Sequence, residues 1–384
     1  MKRLLPIALQ RSILRTSMSF LLPLVLLNFT GLSAQEKMMT GPEVTASNPM
    51  EIMPKGEAPD WAPNIDPQML AVLEQFKAFE MPKPVEMSAF QLRNAKLPAG
   101  AVMALLAKSG MSAKEPKVDI SHKILDVGPE EGILVRIYKP VEMNPGEELP
   151  VIVYYHGGGW VIADLDTYEP SAKALAAKAG AIVVSVAYRQ APQFTFPTAH
   201  DDAFAAYKWV VENTSEIGGD ENNIATAGES AGGNLAVAIP IMAKEQNVKL
   251  PVHILSVYPI ADGDVQSPSY DEYENASPLN RPFMEWFFEK YSPNQESKSD
   301  PLISLIDADL EGLPTTTIIN AQLDPLEHEG GELAEKMEQA GIDVEREVYQ
   351  GVTHEFFGMA AVLEQAVEAQ KFATDRLKES FGTN

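Results

Sequence analysis

Ser230 sits in Gly228-Glu229-Ser230-Ala231-Gly232, a G-x-S-x-G pattern whose small flanking residues would let a serine hydroxyl stand at a tight corner of the chain. The pattern is weak alone, and its context strengthens it. An apolar run over residues 224–227 leads in as a strand, and residues 231–237 lead out as a helix. The hydroxyl would then project at a helix N-terminus, with the Ala231 amide aimed at developing negative charge. A serine hydroxyl is a weak nucleophile at neutral pH and needs a base. Of the 6 histidines, His122 and His253 fall inside strands, His156 opens a glycine loop, His200 starts a helix and His328 lies on one. His354 follows the last strand, and strand C-termini are where parallel sheets carry their sites. The acid that orients the base should likewise follow a late strand, which Asp324 does, just ahead of Pro325. Asp262 and Asp264 compete for that role, and capping the following helix is the plain structural alternative for Asp324. Asp201 and Asp202 precede the serine and would break the chain order serine, acid, histidine, and Asp324 is the choice.

A second cluster, His156-Gly157-Gly158-Gly159-Trp160, directly follows the apolar run 151–155. Three residues without side chains suit a phosphate cradle, an oxyanion site or a plain turn. A phosphate loop would also need a Lys followed by Ser or Thr, and none follows Gly159.

Short apolar runs at 118–127, 133–138, 151–155, 181–187, 224–227, 252–258, 315–321 and 344–349 alternate with amphipathic helical stretches near 171–179, 199–213, 231–245, 326–340 and 358–377. This alternation predicts an α/β fold with an eight-stranded, mostly parallel sheet covered by helices on both faces, its first two strands an antiparallel edge hairpin. Ahead of it, helical spacing marks 69–79 and 88–109. A long insertion with the aromatic stretch Phe283, Trp286, Phe287 and Phe288 separates the strand ending at Tyr258 from the one beginning at Thr315. Insertions of this kind often lie over a site as lids, and it is expected to pack with the helices of 69–109. Packing between helices is the plainer role for its aromatics.

The chain has 384 residues, 45% of them hydrophobic and 22% charged, as for a soluble globular protein. Having no cysteine, it has neither disulfides nor thiolate metal sites. Residues 1–34 carry Lys2, Arg3, Arg11 and Arg15 and no acid, then an apolar stretch broken by Pro23 and Asn28, then Ser33-Ala34. They read as a secretory leader, which places the mature chain in the periplasm or outside the cell. A retained single anchor is the alternative, against which stand the interruptions and an apolar run short of about 20 residues. Removal of the leader would take the formal charge from −24 to −28, which repels phosphate backbones and anionic membranes. Residues 35–68 are proline-rich and aperiodic, a linker or arm, with ordered structure expected after Pro67.

Four blocks together resemble the hormone-sensitive-lipase-like (bacterial family IV) carboxylesterases of the α/β-hydrolase superfamily: His156 to Trp160, Tyr188-Arg189-Gln190-Ala191-Pro192 with Asp201-Asp202, Gly228 to Asn234, and Asp324-Pro325-Leu326 with His354. The resemblance implies a triad of Ser230, Asp324 and His354, and an oxyanion hole of the Gly158, Gly159 and Ala231 amides. His156, Gly157 and Glu229 would support the loops, with Tyr188 to Pro192 and Asp201-Asp202 as further braces. Glu229 stands where many members have Asp, Gln193 replaces a usual Glu, and Pro240 interrupts the helix after the serine as an expected kink. An α-helical cap would come from 69–115 and from about 263–300, with 116–384 as the catalytic domain. The implied activity is serine-dependent hydrolysis of short- to medium-chain carboxylic esters, with no metal or organic cofactor. A sugar deacetylase or amidase would use the same triad, and a non-catalytic small-molecule binder would keep only the fold. The implied partner is a small-molecule ester, with a homodimer allowed, no nucleic acid, and no stable membrane span once the leader is removed.

Overall fold

Residues 43–44, 52–141 and 146–383 are described by a computed structural model. The expected leader and most of residues 35–51 lie outside the described residues. Eight strands form one sheet: β1 (Val118–Leu125), β2 (Ile133–Pro140), β3 (Leu149–Tyr155), β4 (Ile182–Val186), β5 (Gly219–Glu229), β6 (His253–Val257), β7 (Thr316–Leu323) and β8 (Val344–Thr353). Their spatial order is β8-β7-β6-β5-β3-β4-β2-β1. β1 pairs antiparallel with β2 and β2 antiparallel with β4, while every other pairing is parallel. A separate two-residue pairing joins Glu43–Val44 to Ser112–Ala113.

Eleven α-helices surround the sheet among the described residues: α1 (Pro67–Lys77), α2 (Ala89–Arg93), α3 (Pro98–Lys108), α4 (Glu169–Ala179), α5 (Thr198–Asn213), α6 (Ala231–Glu245), α7 (Pro268–Glu272), α8 (Arg281–Tyr291), α9 (Gln295–Lys298), α10 (Glu327–Gln339) and α11 (Glu364–Phe381). None is long and apolar enough to cross a membrane.

Successive strand side chains point to opposite faces, so β3 feeds two cores. Val151, Val153 and Tyr155 join α5, α6 and α8 on one face. Ile152 and Tyr154 join α1, α4 and α11 on the other. β3, β4 and β6 are buried along their whole length, which explains their continuous apolar runs. Edge strand β1 is mostly exposed.

Several boundaries depart from the sequence expectation. The single helical stretch at 88–109 is two helices: the first ends at Arg93, Leu97 is extended as a residue before proline tends to be, and Pro98 opens α3. The strand entering Ser230 begins at Gly219, well before its apolar run, because polar residues 220–223 sit at its exposed end. The last helix starts at Glu364, after a short 3-10 turn over Phe356–Met359. Pro240 lies inside α6 without ending it. Order also begins ahead of Pro67: Ile52, Ala62 and Ile65 are buried against α1 and its neighbours, so the described part of this segment lies on the domain.

Candidate active site

All the sequence-selected groups emerge from the carboxyl ends of parallel strands, where the topology gathers them: the glycine loop after β3, Ser230 after β5, Asp324 after β7 and His354 after β8. Ser230 has φ 58° and ψ −118°, a sparsely populated conformation costing about 1–3 kcal/mol. Its amide donates to Val257 O at 2.9 Å, tying the corner to β6. The glycines beside it are steric necessities. A Cβ on Gly232 would lie 2.0 Å from Tyr155 O, and one on Gly228 would lie 2.1 Å from Gly232 O. Strand, corner and helix can approach this closely only without those methyls.

His354 is aimed by an irregularity in β8. Between the pairs Tyr349↔Ala321 and Thr353↔Leu323, β8 advances four residues against two on β7. Such a bulge bends a strand and re-aims the side chains beyond it. Gly351, at φ 73°, turns the bulge; its amide donates to Gln322 Oε1 at 2.8 Å and its carbonyl accepts the Asp66 amide at 2.8 Å.

The three side chains meet. Ser230 Oγ lies 2.9 Å from His354 Nε2, and His354 Nδ1 lies 2.6 Å from Asp324 Oδ2. With Asp324 accepting, the ring proton belongs on Nδ1, which leaves Nε2 to accept from the serine hydroxyl. Asp324 is fully buried, and its second oxygen accepts the Leu326 amide at 3.0 Å. The carboxylate therefore closes an Asx-type turn ahead of α10 and orients the histidine at once. Burial depresses the His354 pKa, but the charge and hydrogen bond of Asp324, then the charges of Glu355 and Glu229, outweigh it and leave the pKa above 6.5. Asp262 and Asp264 stay apart: Asp262 accepts from the Asp264 amide and the Ser304 hydroxyl.

Gly158 and Gly159 have φ 98° and 59°. A Cβ on Gly158 would lie 2.2 Å from Ile162 O, and one on Gly159 2.2 Å from the Phe287 ring. Their amides meet no acceptor among the described residues, and Ala231 opens α6 with an orphan helix-terminal amide. Gly158 and Gly159 line one cavity with Ser230 and His354. Glu355 also lines it, and the remaining walls are apolar and come from both flanking regions, including Phe76, Leu92, Leu279, Phe283 and Phe287.

His156 turns away from this centre. Its ring stacks on Tyr188 at 4.4 Å, and Nδ1 lies 2.8 Å from Gly157 O. Burial pushes its pKa down to about 4, so the ring is neutral and holds the loop. Asp202 grips Arg189 through two guanidinium bonds of 2.8 Å, bracing the segment after β4. His200 is buried between Tyr291 and Asn234. His253 contacts Ser380 and Thr317, His122 accepts from Arg136, and the His328 amide meets Ser269.

The sequence offered no sign of one further cluster. Glu229, buried beside the nucleophile, accepts hydroxyls from Tyr154 on one oxygen and Tyr258 on the other. Tyr258 in turn packs its ring 4.6 Å from that of His354. Burial drives the Glu229 pKa up to about 7, against the pull of the tyrosine bonds. These tyrosines come from β3 and the end of β6, and no local spacing links them to Glu229.

A strained serine at a strand-to-helix corner, bonded to a histidine and a buried aspartate that follow later strands, is the site architecture of a serine hydrolase on an α/β sheet. A family model for the alpha/beta hydrolase fold matches residues 152–358. Carboxylesterase NlhH of Mycobacterium tuberculosis is 35% identical over 312 residues, covering 80% of this chain and 93% of that protein. Ethyl acetate hydrolase of Pseudomonas putida is 31% identical over 319 residues, covering 82% and 99%. The solved structure of a hyperthermophilic esterase from the archaeon Pyrobaculum calidifontis superposes with a TM-score of 0.75 at 32% identity, covering 84% of this chain and all of that one. The chain belongs to the hormone-sensitive-lipase-like carboxylesterases of the α/β-hydrolase fold.

Proposed function

We propose that the chain hydrolyses short- to medium-chain carboxylic esters through an acyl-enzyme on Ser230. The observation that carries this reading is the unbroken relay from Ser230 Oγ through His354 to Asp324, opening on an apolar cavity. His354 Nε2 takes the hydroxyl proton as Oγ attacks the ester carbonyl. The same nitrogen returns the proton to the departing alkoxide as the carbonyl–oxygen bond breaks. Water then repeats the sequence against the acyl-serine, its proton passing to His354 and on to Ser230 as the acid leaves. Gly158, Gly159 and Ala231 amides receive the oxyanion, each donor being worth about 3 kcal/mol or more in a dry site.

Chain length is argued from the cavity. It encloses only about 60 Å³ but shares Phe76, Met81, Pro84 and Leu92 with a wider apolar groove of about 600 Å³. A short acyl group fills the inner space, and a longer one must displace that shared wall. We assign α1 to α3 and the segment 263–300 the role of cap over this cavity. Export through residues 1–34 belongs to the same proposal on composition alone, and N-terminal sequencing of the mature chain checks it.

A 4-nitrophenyl ester series from acetate to palmitate tests the reading. Turnover should peak at short to medium chains and disappear in Ser230→Ala. Ester turnover that survives Ser230→Ala would remove Ser230 as nucleophile, and no turnover of any ester would remove the activity.

A further inference from the structure

We propose that Glu355 recognises a hydroxyl group on the ester substrate, so that hydroxylated esters are the preferred class; this rests on the esterase reading above. Glu355 follows His354 directly and has φ 74°, a left-handed conformation that glycine adopts freely and glutamate rarely. Strain held by a side-chain-bearing residue beside a reactive group points to use of that side chain. Its carboxyl is aimed by Tyr168, a buried residue whose hydroxyl donates to Oε1 at 2.6 Å. Tyr168 is itself wedged against the glycine loop, since a Cβ on Gly157 would lie 2.2 Å from its hydroxyl. The second oxygen, Oε2, receives no hydrogen bond among the described residues.

Glu355 lines the same cavity as Ser230 and His354, and these three are the polar side chains on its wall. An ester that is apolar throughout strips water from the carboxyl and returns no partner. An ester carrying a hydroxyl restores one, and sites built to bond a hydroxyl discriminate strongly against its absence. Burial raises the Glu355 pKa, while His354 and the Tyr168 bond lower it and Asp324 raises it. A hydroxyl both donates and accepts, so it suits the carboxyl in either protonation state. The otherwise apolar wall disfavours an ammonium, which would shed its hydration for a single partner.

The hydroxyl can belong to the acyl or the alcohol portion, and two matched pairs separate these sources. One compares 4-nitrophenyl 3-hydroxybutyrate with 4-nitrophenyl 3-methylbutyrate; the other compares 2-hydroxyethyl butyrate with propyl butyrate. In at least one pair, kcat/KM should favour the hydroxylated ester by about tenfold or more. Glu355→Gly, whose backbone suits the position, should bring that ratio near one, and Glu355→Gln should retain part of it. Ratios near one for both pairs in the parent, or a ratio that persists in Glu355→Gly, overturn the inference while leaving the esterase intact. Failure to hydrolyse all four esters removes the esterase reading itself.

Discussion

Ser230 stands between two walls of opposite character. On the cavity side, Leu92, Leu279, Phe283 and Phe287 offer apolar surface without direction. On the sheet side, Glu229 is held by two tyrosine hydroxyls, one from a tyrosine packed on the His354 ring. Apolar contacts are individually weak and interchangeable, so the first wall sets which ester fits. A buried carboxyl tolerates only satisfied, directional partners, so the second wall holds the reactive groups in one arrangement. Substitutions should therefore grade substrate choice on one side and disrupt the machinery or its pH response on the other.

The largest effect is expected between the two walls. Asp324→Asn removes the acceptor that keeps the Nδ1 proton in place, and should lower kcat on 4-nitrophenyl butyrate roughly 10⁴-fold while KM changes little. Next comes Gly232→Ala, whose methyl would lie 2.0 Å from Tyr155 O. Overpacking against backbone should cost about 3 kcal/mol, read as a lowered urea midpoint.

Glu229→Gln probes the sheet-side wall through pH. The folded carboxyl titrates near 7 against an ordinary 4.5, so between these values the unfolded chain has released a proton that the native chain keeps. Stability from this group is complete below 4.5 and is lost as pH rises towards 7, by about 3 kcal/mol in all. Urea unfolding across that window should fall more steeply for the parent than for Glu229→Gln. Equal slopes would show that Glu229 ionises normally.

On the cavity side the effect should be smaller. Phe287→Ala removes an apolar wall contact, so KM for 4-nitrophenyl hexanoate should rise up to about tenfold with kcat nearly unchanged. A large fall in kcat would break the contrast, by making the apolar wall part of the machinery. Smallest of all is a shift in the rate profile. The proposed base His354 would act only when neutral, and its raised pKa should place the acid limb of kcat/KM above that of an ordinary histidine. Glu229 is only partly ionised near pH 7, so Glu229→Gln removes a partial charge that raises the His354 pKa and should move that limb slightly to lower pH.

The strands were largely readable because buried parallel strands are short and continuously apolar. Boundaries set by polar ends, such as Gly219 of β5, were not. Ser230 was visible because a serine corner needs its small neighbours in sequence, a local requirement. His354 and Asp324 were visible through their places after late strands. The tyrosines around Glu229 were not, since Tyr154 and Tyr258 reach it only through the stacking of β3, β5 and β6. Glu355 lay within a stretch already marked for His354, yet nothing local gave it a role; its left-handed backbone and its bond to Tyr168 are tertiary facts.

Amino-acid order alone established what is covalently local: a side-chain-free loop after a strand, a serine between glycines, and the succession of serine, acid and base along an alternating chain. The distances that join Ser230, His354 and Asp324, the bulge that aims His354, and the unequal walls around them arise in the folded chain. Periodicity and steric need act between neighbours in sequence, whereas a hydrogen bond between distant strands depends on how the sheet stacks and twists.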